Sequence, residues 1–270
     1  MSCLATEIGP SARSILPARA TRQLAAARAL APLFVLRSGS ARYARQRMSS
    51  GTGPEAVELE VRGVVVGLFR ENCWVVGSRQ RGEACVIDPG DEPGEILALA
   101  RDMGVRITRV VASHAHLDHI MAVREIVEAT GAPFLLHESD LFIADNMPDA
   151  ARNWLGREVL PAPHPDLFPV DGQDLEIAGV SVRVIHTPGH TPGSLCLYAP
   201  DAGLLFSGDT LFRESIGRTD LPGGDTHQIL RSIHQRLFAL PDDTRVLPGH
   251  MQETSIAYER AHNPFVGAAR

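Results

Sequence analysis

Ser113-His114-Ala115-His116-Leu117-Asp118-His119 gathers three imidazoles and one carboxylate directly after an apolar, β-branched run. Residues two apart on an extended segment project the same way, so His114 and His116 can grip one cation. Asp118 and His119, at the start of the following helix, turn toward a neighbouring position. Three further segments each carry one metal-binding side chain beside glycine: Thr187-Pro188-Gly189-His190-Thr191-Pro192-Gly193-Ser194, Ser207-Gly208-Asp209-Thr210 and Leu247-Pro248-Gly249-His250. Glycine there lets the backbone bend sharply and come close to a site. Each segment alone is a commonplace turn. Together with the first motif they supply five His and two Asp, a set that fits two adjacent cations joined by a shared carboxylate.

The elements that must position these residues read as a mixed α/β or α+β chain. Val57–Val66, Trp74–Val76, Ala84–Ile87 and Ile107–Ala112 have strand patterns, with a helix over Pro93–Met103. His119–Thr130 follows as one helix, with Gly131 as its stop. In the second half Asp174–Ile177, Val180–Ile185, Leu195–Tyr198, Leu204–Phe206 and Val246–Leu247 read as strands, and Thr226–Leu240 and Glu253–Ala261 as helices. Asn146–Pro169 is the longest stretch without a regular pattern, the kind of loop that covers a site or varies freely. No linker is long enough to divide two domains, so a single domain is expected over residues 57–265, with 266–270 a tail.

Composition narrows the chemistry. All 26 basic residues are Arg, and without Lys the chain has no Schiff base, no covalent pyridoxal attachment and no phosphate-loop lysine. Cys3, Cys73, Cys85 and Cys196 form no CxxC pair and read as buried thiols. Residues 1–50 hold eight Arg against the single acid Glu7, a net of +7, which leaves −13 on residues 51–270 out of a total of −6. An acidic body has no footprint for nucleic-acid phosphates, and no nucleic-acid partner is expected. The Arg-, Ala- and Ser-rich residues 1–50, with a possible amphipathic helix over Ala18–Leu36, have the composition of an organellar transit peptide for mitochondrion or plastid, followed by a 51–56 linker. A membrane anchor is not expected, because Arg28 and Pro32 interrupt the short apolar run.

On these motifs the sequence resembles the metallo-β-lactamase-fold hydrolase superfamily over essentially all of residues 57–265. The resemblance implies a four-layer αββα sandwich with metals at one edge between two sheets. It implies that His114, His116 and His190 hold one metal, Asp118, His119 and His250 the other, and that Asp209 bridges. Asp118 and Asp209 would then serve catalysis as well as binding. Asp88, in Ile87-Asp88-Pro89-Gly90, matches the aspartate that orients a ligating imidazole in that superfamily. Two positions depart from it: Met121, where relatives often have a small residue, and Met251, where they often have an acid or glycine. Either would narrow the pocket or alter the second metal site.

Ser215-Ile216-Gly217-Arg218-Thr219-Asp220-Leu221-Pro222-Gly223-Gly224-Asp225 resembles a loop of the small, single-domain glyoxalase II-like branch. Only twenty residues follow His250, too few for the helical domain that helps two-domain glyoxalase II enzymes hold glutathione. The implied reaction is attack of a metal-bridging hydroxide on a thioester such as an S-(2-hydroxyacyl)glutathione, with two divalent ions, zinc or iron, as cofactors. No Lys, Tyr or free Glu in the motifs is placed as a general acid, which favours a thiolate leaving group of pKa about 8.5. Arg218, then Arg213, are the candidates for holding a substrate carboxylate. An ion pair from Arg218 to Asp220 is the competing role. The alternative activity is a persulfide dioxygenase with one Fe(II) on His114, His190 and Asp209, a two-histidine, one-carboxylate set. Partners are thus expected to be small molecules, and the sequence leaves the oligomeric state open.

Overall fold

The computed structural model describes residues 46–50 and 57–267 of the chain. The first sheet runs in the order β1 Gln46–Ser50, β2 Val57–Val66, β3 Glu71–Ser78, β4 Glu83–Ile87, β5 Arg106–Val111 and β6 Phe134–Leu135. The second runs β14 Thr254–Ser255, β13 Arg245–Pro248, β10 Leu204–Gly208, β9 Leu195–Ala199, β8 Val180–His186 and β7 Asp174–Ile177. Strand alternation sorts their apolar residues into layers. On β3, Trp74 and Val76 face a core shared with Leu197, Leu204 and Phe206 of the other sheet. Cys73 and Val75 face away, toward a second core under the helices. On β10, Leu205 likewise turns outward to a third core with Ile229, Ile233 and Ile256. Two sheets face to face, each with helices on its outer side, make the expected αββα sandwich.

Local signals explain the helices. Helix α1, Pro93–Met103, has Pro in its first turn and ends at Gly104 in the left-handed region, and it buries Ile96, Leu99, Ala100 and Met103 along one stripe. The single helix expected over His119–Thr130 is instead two, α2 Leu117–Ile120 and α3 Val123–Thr130. The Ala122 N–H donates to the Pro89 carbonyl at 3.0 Å rather than continuing the helix ladder, so α2 is tied to the turn after β4. Met121 sits at this break, packed in the core under the helices. The expected loop Asn146–Pro169 begins with a helix. After α4, Leu141–Asp145, comes α5, Met147–Leu155, which has Pro148 in its first turn, buries Met147 and Ala151 one turn apart and stops at Gly156.

The small β11–β12 ribbon, Leu211–Phe212 with Ser215–Ile216, leads to α6, Thr226–Ser232, which passes into a π-turn over Ile233–Leu237. The closing helix α7 is Ile256–His262, because Thr254 and Ser255 pair with β13 and Ser255 caps the helix. Gln46–Ser50 pairs antiparallel with β2, Gln46 opposite Val61, and adds an edge strand to the first sheet. The rest of the leader, with Cys3, lies outside the described residues. Cys73, Cys85 and Cys196 are buried and free. No helix among the described residues is long and apolar enough to cross a membrane.

Candidate metal centre

All seven predicted ligands meet where the ends of β5, β9, β10 and β13 face one another. The loop after β5 carries His114 and His116, and the first turn of α2 carries Asp118 and His119. His190 comes from the β8–β9 loop, Asp209 from the end of β10 and His250 from the end of β13. One ligand-competent group is His114, His116 and His190; another is Asp118, His119 and His250. Nε2 of His190 lies 3.2 Å from that of His114 and 2.9 Å from His116 Nδ1. Asp209 stands between the groups. Its Oδ1 is 3.4 Å from His119 Nε2, and its Oδ2 is 3.6 Å from Nε2 of both His190 and His250.

The outward nitrogens of these rings are held so that the inner ones present lone pairs. His190 Nδ1 donates to the Arg218 carbonyl at 2.7 Å, which leaves Nε2 as an acceptor. Asp88 Oδ2 accepts the Ser113 hydroxyl at 2.7 Å, so the Ser113 oxygen is free to accept from His114 Nδ1 at 3.0 Å. The same carboxylate oxygen lies 3.2 Å from His119 Nδ1, an ion-pair contact without hydrogen-bond alignment. Asp88 has φ of 55°, a left-handed conformation that is costly for a non-glycine residue and is retained here by the Ser113 backbone and hydroxyl bonds.

Burial pushes His114 well below the usual imidazole range, helped by neighbouring His119 and His190. Burial and His190 together bring His116 down to about 3. His190 is lowered too, burial outweighing Asp209. Burial opposes the charge on His119 and His250, yet Asp209 raises both, with Asp88 assisting at His119 and Asp118 at His250. Burial opposes the charge of Asp118 and Asp209 as well, but the surrounding imidazoles hold both carboxyls below their ordinary range. The lowered imidazoles of His114, His116 and His190 beside ionised carboxylates are in the states metal ligation requires, whereas His119 and His250 would release a proton as a cation takes its place. His119 Nε2 and Asp209 Oδ1 are both buried without a hydrogen-bond partner, a costly arrangement that cations between them would relieve. The residues present therefore fit divalent cations: His114, His116 and His190 would hold one and Asp118, His119 and His250 another, with Asp209 facing both groups.

Three supporting residues escaped sequence reasoning because they lie far from the motifs. Asp140 is fully buried and accepts from the Ala115 and Gly193 amides and the Thr191 hydroxyl, joining the first-motif loop to the His190 loop. Asn72, at the start of β3, donates to the Pro248 and Met251 carbonyls at 3.0 and 2.9 Å, and Trp74 Nε1 donates to Pro248 O at 3.2 Å. These bonds grip the His250 loop on both sides, including Met251 at φ of 68°. Asn72→Ala is expected to weaken cation binding at the Asp118, His119 and His250 position by about tenfold and to spare the other, read by titrating metal-free protein.

A cavity of about 720 Å³ opens above the ligands. His116, Asp118, His190, Asp209 and His250 form its polar floor, and Arg218 and Met251 line it. Arg218 is also doubly bonded to Asp220, both contacts 2.8 Å, the competing role foreseen for it. Arg213 lies over the Tyr258 ring, 4.5 Å from the centroid, and is not among the residues lining this cavity. His137 stacks on His186, ring centroids 4.5 Å apart, and neither is among the residues lining this cavity.

Comparison with known proteins agrees with this architecture. Probable metallo-hydrolase YqgX of Bacillus subtilis is 37% identical, with 77% of this chain and 98% of that protein aligned. Hydroxyacylglutathione hydrolase GloC of Haemophilus influenzae is 30% identical over 78% of this chain and 99% of its own length. Among solved structures, the BLEG-1 B3 metallo-beta-lactamase superposes with a TM-score of 0.72 at 33% identity, covering 77% of this chain and all of that one. TTHA1623, solved in a di-iron-bound form, gives 0.69 at 39% identity over 75% and 98%. The profile of the Metallo-beta-lactamase superfamily matches residues 66–250, from the end of β2 to the last ligand histidine, and the chain belongs to that superfamily.

Proposed function

We propose that this metallo-hydrolase cleaves thioesters, S-(2-hydroxyacyl)glutathiones among them. The observation that carries the reading is the pair of ligand groups joined by Asp209 at the floor of a substrate-sized cavity. With divalent ions bound, such a site supplies a Lewis acid for the carbonyl oxygen and a hydroxide nucleophile near pH 7. The chain's own residues do the rest. Asp209, Asp118 and the five imidazoles fix the geometry; the Arg218 carbonyl keeps the His190 ring from turning, and Asp88 through the Ser113 hydroxyl does so for His114. No Lys, Tyr or Glu side chain lines the cavity among the described residues, so no evident acid protonates a poor leaving group. A thiolate needs none. The likeness to GloC supports the same substrate class.

Thiol release from S-lactoylglutathione and a simple acyl thioester, by zinc-loaded and iron-loaded protein, tests the reading; no release from either would overturn it. A second reading, iron-dependent persulfide oxidation, is favoured by the convergence of His114, His190 and Asp209 on one side of the site. Oxygen uptake with glutathione persulfide in place of thiol release would establish it. If Arg218 binds a substrate carboxylate, Arg218→Ala should raise KM by about threefold to tenfold and change kcat less, because its contact is made equally before and during reaction. The leader we propose to be an import signal. A fusion of residues 1–50 to a fluorescent reporter should enter mitochondria or plastids, and a diffuse cytosolic signal would refute it.

A further inference from the structure

Outside the ligand floor, the cavity wall is dominated by apolar side chains. Helices α4 and α5 contribute Phe142, Met147 and Trp154, and the β2–β3 turn contributes Phe69, whose ring lies 6.3 Å from that of Trp154. Met251 and Leu221 continue the apolar surface on the other loops. Phe142, Trp154 and Met251 are half exposed or more, an unusual arrangement for large apolar groups unless something covers them. Among the described residues Arg218 is the one arginine on the wall, and Asp220 already neutralises it. Glutathione brings two carboxylates and an ammonium, and such a wall gives them almost nothing to bind.

Polar thiol carriers gain little from aromatic and thioether surface, whereas an apolar acyl group gains in proportion to the area it buries. We propose that this enzyme selects its thioester by the acyl arm, and that this arm is aromatic or a medium-length alkyl chain lying against Phe69, Phe142 and Trp154 while the thiol carrier extends toward solvent. The proposal rests on the thioesterase reading and names the acids it serves. The reaction stays balanced: the carbonyl C–S bond breaks, water supplies the oxygen of the new C–O bond, and the two products, the apolar acid and the free thiol, share its protons.

The test holds the thiol constant and varies the acid. With metal-loaded enzyme, kcat/KM for S-mandeloylglutathione and S-(2-hydroxyoctanoyl)glutathione should exceed that for S-lactoylglutathione at least tenfold, each buried methylene being worth up to about fourfold. Exchanging glutathione for N-acetylcysteamine should change kcat/KM less than exchanging the acyl group does. Trp154→Ala should shrink the octanoyl-to-lactoyl ratio at least threefold. Binding is read separately: S-alkylglutathione thioethers, which have no carbonyl to hydrolyse, should change Trp154 fluorescence with affinity rising with chain length, and Trp154→Phe should lose the signal, since Trp74 is buried. Equal rates across the acyl series, or stronger dependence on the thiol than on the acid, would overturn the proposal. So would faster opening of β-lactams than of any thioester. Length-dependent thioether binding without thiol release from any thioester would instead overturn thioester hydrolysis, and this substrate assignment with it.

Discussion

Asp209→Asn is expected to empty both cation positions and to lower turnover by roughly a thousandfold or more. Each carboxylate oxygen of Asp209 faces at least one inward imidazole nitrogen: Oδ1 meets His119, and Oδ2 meets both His190 and His250. An asparagine keeps the shape but replaces one anionic oxygen with an NH2 donor, which cannot ligate a cation and would point at lone pairs or at the ion itself. The charge is lost too. Burial works against that charge in Asp209, and His119, His250 and His190 overcome it, so the ionised state is the one the site is built around. His116→Ala removes a ligand from one group only. Metal analysis should therefore show both positions depleted in Asp209→Asn, but chiefly the His114 and His190 position in His116→Ala. Thiol release at wild-type rates from metal-stripped Asp209→Asn protein would show that the site is not catalytic.

What the sequence made legible was whatever is local in it. The first motif could be read because its spacing along one loop already fixes which side chains point together, and the Gly-His and Gly-Asp turns because each ends an apolar strand. The nine expected strands were found to within a few residues, since alternation and β-branching are properties of the segment, whereas the short β6, β11, β12 and β14 and the edge strand β1 were not expected. The misses were tertiary. The break after Ile120 exists because Pro89, more than thirty residues earlier, takes the Ala122 N–H. Helix α5 was missed because its apolar stripe is short and gains its stability from packing against the first sheet's outer core, to which Met147 and Ala151 belong. Asn72 and Asp140 carry no motif at all; their roles come from loops brought to them by the fold. Sequence placed Arg218 ahead of Arg213 without a physical ground in either side chain's surroundings; the fold lays Arg213 over the ring of Tyr258 and Arg218 along the cavity wall. Asp88 was identified through resemblance rather than from its own surroundings. The contacts that explain it, with Ser113 and His119, span 25 and 31 positions of the chain.

Gly249→Ala, the addition of one methyl group, should disable the site nearly as thoroughly as loss of a ligand. Gly249 sits between Pro248 and His250, with its N–H donating to the Gly208 carbonyl at 2.9 Å and its own carbonyl accepting from Asn72 N at 2.7 Å. Those two bonds pin the backbone from both sides, so the peptide cannot easily back away. A Cβ there would lie 2.5 Å from Asp209 Oδ1 and 2.6 Å from His119 Cε1, wedged between the two groups that must converge. Neither has room to yield: His119 is fully buried and backed by Asp88, and Asp209 is confined by three imidazoles. Overpacking of this kind costs about 1–3 kcal/mol, which the fold should survive in part by spreading Asp209 and His119 apart. The expected result is a folded protein with a lowered melting temperature, little metal at the Asp118, His119 and His250 position and turnover down by at least a hundredfold. Gly94→Ala is the matched control, because its Cβ would meet nothing within 4 Å on helix α1 and the change should be neutral or stabilising by about 0.4–1 kcal/mol. Wild-type metal content and turnover in Gly249→Ala would mean that Asp209 and His119 do not need their close approach, and that the shared-carboxylate arrangement is not the working form of the site.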